Sequence, residues 1–291
     1  MSGSTKTLTL CKAFLEKVDA QKQQDLVRHL SPKSAEIIRT MPPIPLRTFA
    51  SLADPERVWS KIHPTWIAKA LKNGGYSDGD QLLLLSAIPE SSAAVLLGKK
   101  ARIPLNPAAA TYFAGVLYKQ VVGQQAPLPE EILPSSPHNA LLDMSREQLI
   151  DLISLLGIHD LARDLTTLLD ATKIRAIVAA LTPTQSAYLE GLKNTAPEPI
   201  TFPKLPLQQW INDVQQLQGL ILQRGINRLA KVMAAESEEL LAHLLLALPE
   251  PHYRLFMGLK TTLEERTMTR YLSAQVSAIC KILIKSAEAK A

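Results

Sequence analysis

Apolar residues recur along this chain at intervals of three and four, and strict apolar–polar alternation never runs for a useful length. The first spacing paints one stripe on a helix, whereas alternation would mark a half-buried strand. The expectation is an all-α protein. Leu8, Leu10, Phe14, Leu15 and Val18 open the pattern, and Ala20 to Leu30 continues it. Ser31-Pro32 starts another helix, with Pro in its first turn, and Met41-Pro42-Pro43-Ile44-Pro45 stops it. Asp54-Pro55-Glu56 reads as a helix start, because Asp can cap free N–H groups and Pro has no N–H to leave unpaired. That helix carries Val58, Trp59 and Ile62 and breaks at His63-Pro64. The next runs through Trp66, Ile67 and Leu71 to a glycine-rich turn at 73–80. Leu82 to Leu97 supplies two helices divided at Pro89, and Asn106-Pro107 opens one through Tyr112, Leu117 and Val121. Ser145 with Gln148 fits a capping box ahead of Leu149, Leu152, Ile153 and Leu156. Leu207 to Gln223 reads as one long helix with Trp210, Val214, Leu217, Leu220 and Ile221 on its stripe. A last helix carries Leu263, Met268, Leu272, Val276, Ile279, Leu283 and Ile284.

The pattern repeats. Gly157–Lys193 and Gly225–Lys260 both open as Gly-Ile-x-x-Leu-Ala-base, and both close on Ala-Leu and then Gly-Leu-Lys. A fainter copy runs from His63 to Lys100, where Ile67-Ala68-Lys69 stands for Leu-Ala-base and Ala87-Ile88-Pro89 for the turn. Each copy reads as an entry helix, a helix bearing Leu-Ala-base, and further helices around a Pro-bearing turn. Such a unit buries its apolar face only when stacked on its neighbours. The expected architecture is therefore armadillo/HEAT-like: three related helical copies joined by Pro-rich linkers at 122–140 and 194–207. The expected domains are an N-terminal cap or docking segment (1–46), a first repeat domain (47–125), a second (141–193) and a C-terminal one (205–291).

Composition supports helix and narrows the function. The 291 residues are 46% hydrophobic but only 5% aromatic, so Leu and Ala carry the core. The net charge is +5, with bases spread along the chain and no run dense enough for a nucleic-acid arm. Two cysteines, Cys11 and Cys280, lie at opposite ends in apolar helical patterns and read as free thiols in a reducing compartment. No secretory signal or bilayer-length apolar run is visible, so a cytoplasmic protein is expected. A mean hydropathy of +0.04 suggests apolar surface covered by partners. None of the six histidines has metal-ligand spacing. His159-Asp160 reads as a surface pair, because the matching copy carries Asn227-Arg228. The turn at 73–80 lacks calcium-loop spacing, and Gly258-Leu259-Lys260-Thr261-Thr262 lacks the upstream Gly of a phosphate loop. No enzymatic activity, cofactor or metal is expected.

Ile62-His63-Pro64-Thr65-Trp66-Ile67-Ala68 is similar to the Glu-His-Pro-Gln-x-Ile-Ala pattern of the flagellar motor-switch protein FliG and its relatives in type III secretion. Gly225 to Met233 and the turns at Ile88-Pro89-Glu90 and Leu248-Pro249-Glu250 also resemble that family, diffusely over about residues 54 to 285. The resemblance implies a non-enzymatic scaffold bridging an inner-membrane ring and cytoplasmic ring components. It implies protein partners, membrane association only through them, and a ring-type homo-oligomer. Charges after the last copy are too sparse for a torque helix, which points to a static adaptor. Glu264, Glu265, Arg266 and Arg270 are the expected exposed contacts there, with His63 and Pro64 in the first copy. The alternative is a general helical-repeat binding module or a chaperone for another complex.

Overall fold

The computed structural model describes residues 8–9, 11–13, 15–16, 18–41, 55–123, 128, 130–192, 198, 202–261 and 266–288. The protein is all-α, and no strand occurs among the described residues. The chain divides into two compact units. The first takes residues 1–135 together with Ser237–Pro249, and the second takes Ser136–Glu236 and Glu250–Ala291.

In the first unit, α1 (Ala20–Arg28) and α2 (Pro32–Thr40) are capped by Asp19 and Ser31, whose side chains accept the N–H groups of Lys22 and Ser34. They shelter a small cluster of Leu8, Leu15 and Ile38. The larger core is built by α3 (Pro55–Ser60), α4 (Pro64–Asn73), α5 (Asp78–Ser86), α6 (Glu90–Leu97) and α7 (Pro107–Val122). Trp59, Ile62, Ile67, Leu71, Leu84, Ile88 and Leu117 are buried together there. The glycine-rich turn ends in a capping box, Ser77 with Asp80, and Gly75 adopts a φ of +64° that a side chain would resist. Arg102, on the connection into α7, donates to the carbonyls of Ser86 (2.8 Å) and Ile88 at the end of α5.

The second unit holds α8 (Arg146–Leu165), α9 (Ala171–Ala179), α10 (Pro183–Leu192), α11 (Val214–Met233), α13 (Glu250–Leu259) and α14 (Arg266–Glu288). Ser145 and Gln148 form the expected capping box of α8. The expected helix from Leu207 is corrected. Residues Leu207–Gln209 make a single 3-10 turn, and the α-helix starts at Val214 behind the N-cap Asp213. Trp210 lies outside it, buried, with its indole N–H on the Asp213 carbonyl at 2.7 Å. The glycines read as unit openings are also relocated, since Gly157 and Gly225 both fall in the middle of unbroken 20-residue helices.

α12 (Glu238–Leu246) completes the first unit. A helix end leaves carbonyls without intrahelical partners. Here the backbone N–H of His63 donates to Leu246 O at 2.8 Å, and the Trp66 indole N–H donates to Leu248 O at 2.9 Å. At the other end, the Glu239 carboxylate accepts Leu128 N–H (2.9 Å) and the His243 ring meets Leu128 O (2.6 Å). The proline-rich stretches do not behave as bare connections. Leu128, Ile132 and Leu133 are buried in one, and Phe202, Leu205 and Leu207 in the other.

Two triplets of helices match in length. α8, α9 and α10 have 20, 9 and 10 residues, and so do α11, α12 and α13. α8 and α11 pack on each other, and their glycines explain how closely. A Cβ on Gly157 would lie 1.9 Å from the Ile221 carbonyl oxygen, and one on Gly225 would lie 1.6 Å from that of Ile153. Each glycine is the twelfth residue of its helix and each isoleucine the eighth. The crossing is thus reciprocal, with backbone against backbone. Ordinary helix pairs stay 8–10 Å apart because side chains intervene. With hydrogen alone on each glycine, Cα–H groups meet carbonyls, contacts worth about 0.5–1 kcal/mol apiece.

Candidate functional site: a buried polar cluster beside the helix crossing

One turn beyond the glycines, the fifteenth residue of α8 is Asp160 and that of α11 is Arg228. Both are fully buried, at 0% exposure, and the Arg228 guanidinium donates from Nη2 to Asp160 Oδ1 at 2.8 Å. The same nitrogen donates to Glu198 Oε2 at 2.6 Å, while Nη1 donates to Gln275 Oε1 on α14 at 2.9 Å. The guanidinium also sits 5.3 Å from the centre of the Phe202 ring, where the negative π face favours a cation. Burying an isolated charge is prohibitive, so these groups must be supplied to each other.

Glu198 is the hub. Its Oε1 lies 2.5 Å from His159 Nδ1 and accepts from Gln275 Nε2 at 2.8 Å. His159 Nε2 meets the Tyr188 hydroxyl at 2.8 Å. Burial alone would raise the Glu198 pKa, but the His159 hydrogen bond and the Arg228 charge outweigh it and bring the carboxyl down to about 2. Burial, reinforced by the Glu198 charge, pushes the Tyr188 phenol up to about 12, so it stays a neutral hydroxyl. Arg228 loses hydration on burial, yet the Asp160 and Glu198 carboxylates raise its pKa and keep it charged. Asp164, one turn further along α8, accepts Leu205 N–H at 2.6 Å and pairs with Arg163 Nε at 3.0 Å.

The expectation that His159-Asp160 is a surface pair is therefore overturned. His159 is 8% exposed and Asp160 is sealed. The reasoning failed because the difference between Asp160 and Arg228 was read as tolerance. Two segments that meet at equivalent positions cannot carry the same charge there, so one bears the acid and the other the base. Arg228, Glu198 and Gln275 were not singled out from the sequence. Opposite charges at one register of two matching segments were the signal that could have found the first.

Most of the cluster's hydrogen bonds run within it, although Asp160 Oδ2 and Arg228 Nε are buried without a hydrogen-bond partner. Both ring nitrogens of His159 face protein partners, and Arg228 is closed off from solvent. What the arrangement does chemically is join α8, α11 and residue 198 through short ionic contacts, and α14 through the hydrogen bonds of Gln275. A smaller polar group serves the first unit, where Glu130 takes Lys61 Nζ at 2.6 Å and Arg57 Nη2 at 3.2 Å.

Among the contact residues expected from the sequence, Glu264 and Glu265 lie outside the described residues, as does the side chain of Arg266. Arg270 is exposed on α14, in the second unit. His63 and Pro64 belong to the first unit, where they start α4: the His63 ring accepts Thr65 N–H at 3.2 Å, and Pro64 takes the first helical position. The described residues contain no group of three or more His, Cys, Asp or Glu able to hold a metal ion. No described helix is long and apolar enough to cross a membrane. Cys280 is buried, with its thiol pushed up by burial, and Cys11 is half-buried; both are free thiols. Comparison with models of protein families, with curated proteins and with solved structures finds no match for this chain.

Proposed function

We propose that the protein is a non-enzymatic scaffold of armadillo-like repeated units. In the form the FliG resemblance implies, it is a cytoplasmic adaptor between an inner-membrane ring and cytoplasmic ring components of a type III secretion or flagellar apparatus. One observation carries the scaffold reading. Two 20-residue helices of the second unit, α8 and α11, meet in a reciprocal glycine crossing, and the charged groups beside it are turned inward on each other. Rigid blocks of that kind present surfaces, and binding then falls to helix faces. The FliG form is supported by the His63-Pro64 segment, the Gly225–Met233 wording and the turns at Ile88-Pro89-Glu90 and Leu248-Pro249-Glu250.

The test is native affinity capture of the tagged full-length chain from cells that produce it. Membrane-ring and cytoplasmic-ring components should be recovered, and Arg270→Glu should weaken the recovery of one of them. Capture that contains no secretion or flagellar component would sink the adaptor reading and leave a repeat module for another complex.

A further inference from the structure

A second buried histidine stands outside the Arg228 cluster, in the same unit. His138 is 5% exposed and belongs to the 3-10 helix Pro137–Asp143, where the Ser136 hydroxyl oxygen accepts its backbone N–H at 3.1 Å. Its Nδ1 lies 2.7 Å from Oε1 of Glu236, just beyond the end of α11. Its Nε2 lies 2.8 Å from the hydroxyl oxygen of Ser273 on α14. Glu236 and Ser273 are 98 and 135 positions from His138 along the chain, and all three residues fall within the second unit. A hydroxyl, an imidazole and a carboxylate in that order, each within hydrogen-bond reach of the next, is the arrangement that activates a serine nucleophile.

The directions of the two hydrogen bonds follow from the groups themselves. In a neutral imidazole one nitrogen donates and the other accepts, and a carboxylate only accepts. The ring proton is therefore on Nδ1, aimed at Glu236, and Nε2 is left to accept from the Ser273 hydroxyl. A serine inside a helix ordinarily returns its hydroxyl to the carbonyl one turn back, as Ser86 does to Leu82 O at 2.7 Å. Ser273, the eighth of the 23 residues of α14, turns it to the ring instead. Ser273 is half-buried, with Arg270 and Ala274 exposed on the same helix, so the serine is reached from that side while His138 stays closed off.

The backbone limits what this serine can do. In the middle of a helix each N–H is spent on the carbonyl four residues back, so Ser273 brings no free N–H pair to hold an oxyanion. Reaction is then confined to acyl donors with good leaving groups, and attack of water on the resulting acyl-serine lacks the same help.

We propose that Ser273 is an acyl-accepting nucleophile, with His138 as its base and Glu236 as a positioning residue, which takes one acyl group from an activated ester and keeps it. The bond from Ser273 Oγ to the acyl carbon forms, and the bond from that carbon to the leaving oxygen breaks. The hydroxyl proton passes through His138 Nε2 to the departing oxygen, and nothing is oxidised or reduced. A single acylation modifies a scaffold without turnover. The scaffold reading rests on the α8–α11 crossing and stands or falls separately.

The experiment treats the full-length protein with p-nitrophenyl acetate, follows p-nitrophenolate release, and locates the acetyl group by peptide mass spectrometry. Release should come as a burst of about one equivalent per chain, with the acetyl group on Ser273 and no burst in Ser273→Ala. Glu236→Gln keeps the shape of the side chain, but its amide donates to Nδ1 and moves the ring proton to Nε2. The burst should then slow about 100-fold, and the nitrogen NMR signals of His138 should show the protonated and unprotonated positions exchanged, which a merely structural role for Glu236 would not produce. Thermal unfolding checks that both variants keep their fold. Acetyl groups on lysines with none on Ser273, a burst retained by Ser273→Ala, Glu236→Gln reacting at the wild-type rate, or release that runs steadily past one equivalent would overturn the proposal.

Discussion

Replacing Gly225 by Ala adds one methyl group where the Ile153 carbonyl oxygen already lies 1.6 Å away. A carbon and a carbonyl oxygen need about 3.2–3.5 Å, so α8 and α11 must part locally by more than 1.5 Å, on the order of half a side-chain layer. The obstacle is backbone, so no rotamer change relieves it. Separation thins the contacts of Ile158, Leu161, Leu217 and Ile221, all buried beside the crossing, and stretches the Arg228–Asp160 contact one turn away. Overpacking of this kind costs about 1–3 kcal/mol and more when relaxation is blocked. The better helix propensity of Ala returns about 1 kcal/mol, leaving a net loss of about 2 kcal/mol or more. Gly219 is the control, on the same helix with nothing near its Cβ position; Gly219→Ala should gain about 0.5–1 kcal/mol. Urea unfolding gives the difference, and amide exchange across residues 214–233 locates it in the second unit, which guards against unfolding that is not two-state. The pair Gly157→Ala with Gly225→Ala should cost clearly less than the sum, because one separation relieves both clashes. Gly225→Ala at wild-type stability, or strict additivity of the pair, would refute the reciprocal crossing.

Three further outcomes follow from the buried contacts. Arg228→Asp leaves like charges buried together and should cost about 3–5 kcal/mol, whereas combining it with Asp160→Arg should recover at least about 1 kcal/mol if the two positions are equivalent. The Glu198 carboxyl is held at about 2 against an ordinary 4.5, so its contribution of about 3 kcal/mol is present above 4.5 and is lost as the pH falls toward 2. Acid unfolding of Glu198→Gln should therefore be less steep in that window than wild type, and identical profiles would contradict the hub. Trp66→Phe strips the donor from the Leu248 carbonyl and should cost about 1–3 kcal/mol, with faster amide exchange in α12 and none added in α8 or α11.

The local chemistry of the chain was legible from its one-dimensional pattern. Stripes at three- and four-residue spacing, the Ser145–Gln148 box, Pro64 and Pro107 at helix starts and the break at His63-Pro64 are decided by residues within a turn of each other. The stretches Gly157–Lys193 and Gly225–Lys260, aligned by their wording, also hold helices of equal length. What lay beyond reach was everything that depends on what faces what. Mid-helix Gly157 and Gly225 read as unit openings in sequence, because the reason to have no side chain there is another backbone more than 60 residues away. Asp160 looks exposed because carboxylates usually are, and its partner Arg228 comes from a distant helix and also holds Glu198 and Gln275 from two further parts of the chain. Helix propensity and capping act over a few residues and are written locally. Burial of charge and close backbone approach are set by distant segments, so only the tertiary structure decides them.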